Sequence, residues 1–384
     1  MKIGFFSDTH FGFGEGTVRA EESFDNALQG LRLCFEQKVD LIVIPGDIFD
    51  EPFPSPDSLS RAFDVFLHSL NQGNETVSLN VVSKHGEKKI GFFGVPIVVI
   101  HGNHDYSGIG KTNILEVFSK SKSLVYVPFG KVFFEKNNEK VCVNCFSYVP
   151  DKKAFDVLKL YNPLPEDNCV NVLVMHQTFK EFLPFVDDMI ATLSLDDLPK
   201  GFDIVVNGHL HWTDPQKLGD TFFVLAGSTG TTQMKKLESE RDKGVFVFDS
   251  QKKSLDFFSL PMQRKLFYKK IKFEQAKPNE IVDLANNFLS EVLSKDNNGL
   301  LPLVRLKLEG SLALGVNSFD VDLSGLFEQS EGKAILSLSK NFFSGSFKSR
   351  ISDLQSIQKS KQSVAAMGFD LLEKNLSETD FNDF

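Results

Sequence analysis

Along the first 250 residues, short wholly apolar blocks alternate with longer stretches in which apolar residues recur every three or four positions. The blocks KIGFF (2–6), LIVI (41–44), PIVVI (96–100), VNVLVM (170–175) and DIVV (203–206) have the length and β-branched content of buried strands. Residues 20–37 place Phe24, Leu28, Leu31 and Phe35 on one side of a helix, and 58–70 reads as a second helix. Strands alternating with helices predict an α/β domain. FFVLAG (222–227) and KGVFVFD (243–249) read as a pair of neighbouring strands. This strand-rich end predicts two packed mixed β-sheets flanked by helices. Residues 71–94 break the rhythm and read as a hairpin-like insertion between a helix and its strand.

A compositional shift at LPMQRK (260–265) closes this first domain, 1–260. Beyond it lie a strand (266–273), a helix (278–294), the break KDNNG (295–299) and a strand (301–310). Shorter strand candidates follow at 316–322 and 333–339. Residues 265–345 therefore predict a smaller α/β domain. From 346 the chain is polar, with Ile351, Leu354, Ile357, Val364, Met367, Leu371 and Leu372 at helical spacing, and it ends in the acidic SETDFNDF. A C-terminal helical segment is expected there.

Composition alters this picture little. Hydrophobic residues make up 41% and charged residues 24%, the proportions of a soluble globular protein. The net charge of −9 argues against a protein that merely coats nucleic acid, but not against a polyanionic substrate, since bound divalent cations would change the local field. Cys142 and Cys145 form a CxxC inside a strand, where residues three apart face opposite sides. With Cys34 and Cys169 they read as free thiols in a reducing, cytoplasmic setting. The N-terminus lacks the features of a signal peptide, and no apolar run approaches the ~18–20 residues of a membrane span.

The polar chemistry is concentrated. SDTH (Asp8, His10), GDIFD (Asp47, Asp50), GNHD (Asn103, His104, Asp105), MHQ (His176) and GHLH (His209, His211) each follow an apolar strand. Ligand sites of open α/β sheets lie at strand carboxyl ends, so the five signatures should converge on one edge. Gly46, Gly102 and Gly208 each precede one of these polar groups and permit a tight turn. Asp8, His10, Asp47, Asn103, His176, His209 and His211 form a thiolate-free donor set that suits first-row divalent ions, Mn²⁺ among them. So many donors exceed the needs of one octahedral ion and suit two ions ~3.5–4 Å apart, which would clamp a displacement at phosphorus. His68 and His85 lie outside every signature and carry no assigned role, and His101 reads as supporting at most.

In order and spacing, D-x-H, G-D-x-x-D, G-N-H-[DE], H and G-H-x-H resemble the calcineurin-like metallophosphoesterases over residues 8–211. FSDTHFGFGEG, GDIFDEPFPSPDSL, the Gly227-Ser228 pair followed by ESERDKGVFVF, and PLVRLKLEG resemble more narrowly the Mre-eleven/SbcD double-strand-break repair nucleases, to about residue 310. The resemblance implies that Asp8, His10, Asp47 and His211 hold one ion and Asp47, Asn103, His176 and His209 the other, with Asp47 bridging. It implies hydroxide attack on the phosphodiester and His104 as the proton donor to the leaving group. It also implies 3′-to-5′ exonuclease and endonuclease action on DNA, a homodimer, a Rad-fifty/SbcC-type ATPase partner that the C-terminal segment could bind, and a DNA-capping role for the second domain.

Asp50 stands where some members of the nuclease family carry His, and restores the wider G-D-x-x-D pattern. A hydrogen bond from His104 to the Asp50 carboxylate is therefore expected, favouring imidazolium. Phe11, Arg19, Lys111 and Lys243 are candidate DNA contacts. The metal motifs alone fit equally a phosphoesterase for a small phosphodiester or a phosphoprotein. Complete donor positions argue against a non-catalytic scaffold.

Overall fold

The computed structural model describes residues 1–70, 72, 76–108, 110–183 and 192–343. The chain divides into two compact units, Met1–Arg264 and Lys265 onward. No helix among the described residues is long and apolar enough to cross a membrane.

The first unit opens with β1 (Lys2–Phe5), α1 (Glu22–Glu36), β2 (Leu41–Ile44) and α2 (Pro56–Leu70). Next come β3 (Thr76–Ser83), β4 (Gly86–Phe93), β5 (Ile97–Val99), α3 (Ile114–Lys120), β6 (Val125–Tyr126), β7 (Phe129–Lys136) and β8 (Glu139–Phe146). It continues through α4 (Asp151–Tyr161), β9 (Val170–Met175), β10 (Ile204–Asn207), β11 (Asp214–Leu218) and β12 (Thr221–Leu225). α5 (Lys236–Ser239), β13 (Gly244–Asp249) and β14 (Ser254–Ser259) complete it.

These strands form two mixed sheets, ordered β14-β13-β1-β2-β5-β6 and β11-β12-β10-β9-β8-β7-β3-β4. Their inner faces share a core that includes Ile3, Phe5, Val43 and Phe246 from one sheet and Val143, Val174, Val206 and Val224 from the other. Outside the first sheet pack Phe24 and Leu31 of α1, Phe66 of α2 and Phe118 of α3. Ala154 and Leu158 of α4 pack outside the second. The expected layering of helices, two sheets and helices is present. Central strands buried on both faces explain why their sequences are continuously apolar.

One expectation about strand pairing needs correction. Residues 222–227 and 243–249 are not paired: β12 lies between β10 and β11, while β13 lies between β1 and β14. Phe222 and Phe248 instead meet as ring neighbours, their centroids 5.8 Å apart, from different sheets. The 71–94 insertion does form a hairpin, β3–β4, and it extends the edge of the larger sheet by pairing with β7. Cys142 and Cys145 are both fully buried, Cys145 within the inter-sheet core. Burial pushes the thiols of Cys34 and Cys142 up to about 12, so both are protonated at neutral pH.

The second unit contains β15 (Leu266–Ala276), α6 (Pro278–Leu293), β16 (Leu303–Leu312), α7 (Ser324–Ser330) and β17 (Ile335–Phe343). The three strands form a parallel sheet in that order. Ile281, Ala285, Leu289 and Val292 of α6 and Leu326 of α7 pack with Val304, Leu306 and Leu308. The expected strand at 316–322 is absent. That segment makes a 3-10 turn at Ser318–Asp320, where the Asn317 amide donates to Asp320 Oδ2 at 2.7 Å. The helical segment expected from 346 lies outside the described residues.

Candidate metal centre

Five strand ends deliver the polar signatures. Asp8 and His10 follow β1, Asp47 and Asp50 follow β2, and Asn103 and His104 follow β5. His176 follows β9, and His209 and His211 follow β10. Asp8, His10, Asp47 and His209 adopt positive φ, between 47° and 76°. Left-handed backbone is costly for these residues, and its recurrence marks turns held by the surrounding structure. Backbone bonds hold them: the Asp8 amide donates to Gly46 O and the His10 amide to Asp47 O. The glycines matter as much for space as for φ. A Cβ on Gly102 would lie 2.1 Å from Asp47 Oδ1, and one on Gly208 would lie 2.4 Å from Pro45 O.

Asp8, His10 and His211 present ligand atoms within 4.8 Å of one another, and so do Asp47, His176 and His209. Asn103 joins the second group, its Oδ1 2.9 Å from His209 Nδ1 and 3.2 Å from His176 Nε2. Asp47 Oδ2 lies 3.3 Å from His176 Nε2 and 3.9 Å from His10 Nε2, between the two groups. His104 stands beside them, its ring 4.8 Å from that of His10 in a T-shaped contact.

The remaining imidazole nitrogens are occupied. His176 Nδ1 donates to Pro45 O at 2.7 Å, and His104 Nδ1 donates to Asp50 O at 2.7 Å. His10 Nδ1 pairs with Asp50 Oδ1 at 3.0 Å, and His211 Nδ1 with Thr232 Oγ1 at 2.6 Å. The carbonyl and carboxylate partners fix the tautomers of His176, His104 and His10, and all four rings are left with Nε2 facing the site. Burial and then the Asp47 negative charge raise the Asp8 carboxyl to about 6, despite nearby histidines. Burial pushes the His209 imidazole down to about 3. At His176 burial also opposes charge, but the Asp47 carboxylate outweighs it and raises the imidazole to about 9.

These observations fit bound divalent cations. His10 Nε2 and His211 Nε2 lie 3.3 Å apart, each with its Nδ1 engaged elsewhere. Ring nitrogens gathered in this way, beside two buried carboxylates, suit a cation between them. The donor set is hard and contains no thiolate.

Residues 1–213 match the family model described as calcineurin-like phosphoesterase. The chain belongs to that family. Membership implies divalent-metal binding, and these Asp and His groups could hold the ions. The chain is also similar to proteins named double-strand break repair protein MRE11. That of Encephalitozoon cuniculi is 27% identical over 345 residues, covering 84% of this chain and 56% of that protein. That of Sulfurisphaera tokodaii is 26% identical over 252 residues, covering 63% and 58%. That of Homo sapiens is 24% identical over 372 residues, covering 81% and 51%. The chain thus spans little more than half the length of these relatives.

Within this phosphoesterase site, several expected roles change. The Asp50 carboxylate does not reach His104. It bonds His10, while the Asp50 backbone carbonyl takes His104 Nδ1. The tight turn after β2 aims the side chain toward β1 and leaves the carbonyl facing the GNHD loop.

Three of the four candidate DNA contacts are internal. Phe11 is 1% exposed, stacked on Phe24 at 4.9 Å and edge-on to Phe49 and Phe66. It is a core residue whose truncation would cost ~3–5 kcal/mol. Arg19 is buried, forked onto Glu22 and donating to Thr231 O. Lys243 is buried, its Nζ donating to His211 O at 2.6 Å, Ser228 Oγ at 2.9 Å and Glu238 Oε1 at 3.1 Å. Only Lys111 remains exposed, with Nζ 5.3 Å from the Phe53 ring centre.

Of the supporting residues, Asp105 and His101 were legible in the sequence, and Glu238 and Tyr148 were not. Asp105 accepts the amides of Ile48, Phe49 and Gly102, tying the GNHD loop to the GDIFD loop as a brace. His101 is buried and pairs with the Tyr126 hydroxyl at 2.7 Å, a supporting position. Glu238, beneath His211, and Tyr148, whose ring lies 6.3 Å from those of His176 and His209, had not been singled out. The spacing Arg19-x-x-Glu22 and the acid–base run around Glu238 and Lys243 were the available signals for ion pairing.

Proposed function

We propose that the chain is a Mn²⁺-dependent DNA nuclease of double-strand-break repair, with 3′-to-5′ exonuclease and endonuclease action. The observation that carries this reading is the reach of the similarity. The phosphoesterase model ends at residue 213, whereas the relatedness to the Encephalitozoon protein spans 345 residues and continues into the second unit. A shared metal centre would not require that.

Asp8, His10, Asp47 and His211 would hold one ion and Asp47, Asn103, His176 and His209 the other. Bound divalent ions supply Lewis-acid polarisation of the phosphate and an activated water. The protein's own part is orientation and proton control. Pro45 O, Asp50 and Thr232 hold His176, His10 and His211 with Nε2 toward the phosphate side. His104, its Nδ1–H given to Asp50 O, keeps Nε2 free to protonate the leaving 3′ or 5′ oxygen.

Lys111 is the retained candidate for a phosphate contact, and the unit from Lys265 is assigned a DNA-capping role. A homodimer and a Rad-fifty/SbcC-type ATPase complete the proposed assembly, with the segment from 346 as the ATPase-binding candidate.

The test is purified protein with Mn²⁺ on duplex DNA, hairpin DNA and bis(p-nitrophenyl) phosphate. Degradation of DNA supports the reading. Turnover of the small ester with DNA left intact overturns it in favour of a small-molecule or phosphoprotein phosphoesterase.

A further inference from the structure

The β3–β4 hairpin carries the larger sheet past the helix that covers its outer face. Across that face Val82 of β3, Lys131 of β7 and Asn144 of β8 stand in register. Beside this row, the end of α4 and the hairpin enclose a groove of about 1110 Å³ lined mainly by apolar groups. It is separate from the metal centre and contains none of its ligands.

Two features give the groove a chemical character. Its lip carries Leu160, 86% exposed on the last turn of α4. Its rim is cationic. Lys84 and Lys88 make no ion pair among the described residues, and Glu116 is the only carboxylate among the lining residues.

We propose that this groove binds an acidic linear peptide of a partner protein, anchored by a leucine or aromatic side chain. The anchor covers the apolar floor and Leu160, and carboxylates pair with Lys84 and Lys88. A linear peptide meets both demands with one short segment. A basic peptide would leave the rim repulsive, and a duplex would leave the floor unmet. The proposal does not depend on the nuclease reading.

The test is fluorescence anisotropy on the full chain with three labelled peptides of about 12 residues. One combines Asp and Glu with Phe and Leu, one replaces its acids by Lys, and one replaces its apolar residues by Ser. Saturable binding of the first alone is expected. Lys84→Glu with Lys88→Glu, and separately Leu160→Asp, should each weaken it at least about tenfold. Thermal melting should be unchanged, showing that the fold is intact. Equal binding of the basic peptide, no saturable binding, or unchanged affinity in both variants overturns the proposal. Hydrolysis of bis(p-nitrophenyl) phosphate by these variants should match the parent chain. Loss of peptide binding with hydrolysis retained separates this groove from the metal centre.

Discussion

The Asp50 carboxylate lies 3.0 Å from His10 Nδ1, and the carbonyl of the same residue lies 2.7 Å from His104 Nδ1. One residue thereby orients a proposed metal-donor histidine through its side chain and the proposed acid through its backbone. The two functions separate by substitution. Asp50→Ala removes only the first, and should weaken Mn²⁺ binding about 10–100-fold, as loss of a carboxylate behind a ligating imidazole does. Asp50→Asn keeps an acceptor for His10 Nδ1–H and should lose much less. In neither variant should the discrimination between DNA and bis(p-nitrophenyl) phosphate that is assigned to His104 change. Calorimetric titration with Mn²⁺ and assays on both substrates measure the two effects, and unchanged metal affinity in Asp50→Ala would refute the assignment.

His104 makes a second separable prediction. Its role as acid predicts that His104→Gln keeps Mn²⁺ binding while DNA hydrolysis falls by about 10²–10⁴-fold. Bis(p-nitrophenyl) phosphate has a leaving group that departs without a proton, so its hydrolysis should fall far less. Equal losses on both substrates would assign His104 to phosphate or metal binding instead.

The contrast between these residues shows what a sequence exposes. Asp8, Asp47, Asn103, His176 and His209 were legible because each follows an apolar block, and block ends converge in any α/β sheet. The direction of the Asp50 side chain was not legible, because it depends on the φ of the turn at Gly46 and Asp47. Strand pairing was misread where neighbours in sequence, β12 and β13, belong to opposite sheets. Phe11, Arg19 and Lys243 were misread because an aromatic or cationic side chain near a site looks the same whether it faces solvent or core. What distinguishes them is a partner: Phe24, Glu22 and Glu238 respectively.

Lys243 gives that distinction a measurable form. Its ammonium and the Glu238 carboxylate are both buried, and Lys243 Nζ also holds His211 O. Removing one partner strands the other charge, so Lys243→Met should destabilise the fold by about 3–5 kcal/mol. Lys243→Met combined with Glu238→Gln should recover part of that loss. Chemical denaturation of the single and double variants measures both. A fully stable Lys243→Met that had lost only DNA affinity would restore the surface-contact reading.

Glu22 supplies the pH dependence. Burial alone would raise its carboxyl, but hydrogen bonds and charge from Arg19, with a further contribution from Arg264, bring it below its ordinary value. The Arg19–Glu22 fork also ties the start of α1 to Thr231, next to the residue that orients His211. A carboxyl depressed in the folded state contributes its stability above the unfolded value of about 4.3, and loses it as pH falls through the lower folded value. Glu22→Gln should therefore be less stable than the parent chain at pH 7, by on the order of 2 kcal/mol. The gap should narrow as the pH is taken below about 4, where the parent carboxylate protonates. Urea denaturation of both proteins between neutral and acid pH measures this, and a gap that stayed constant or widened on acidification would show that the ion pair is not its source.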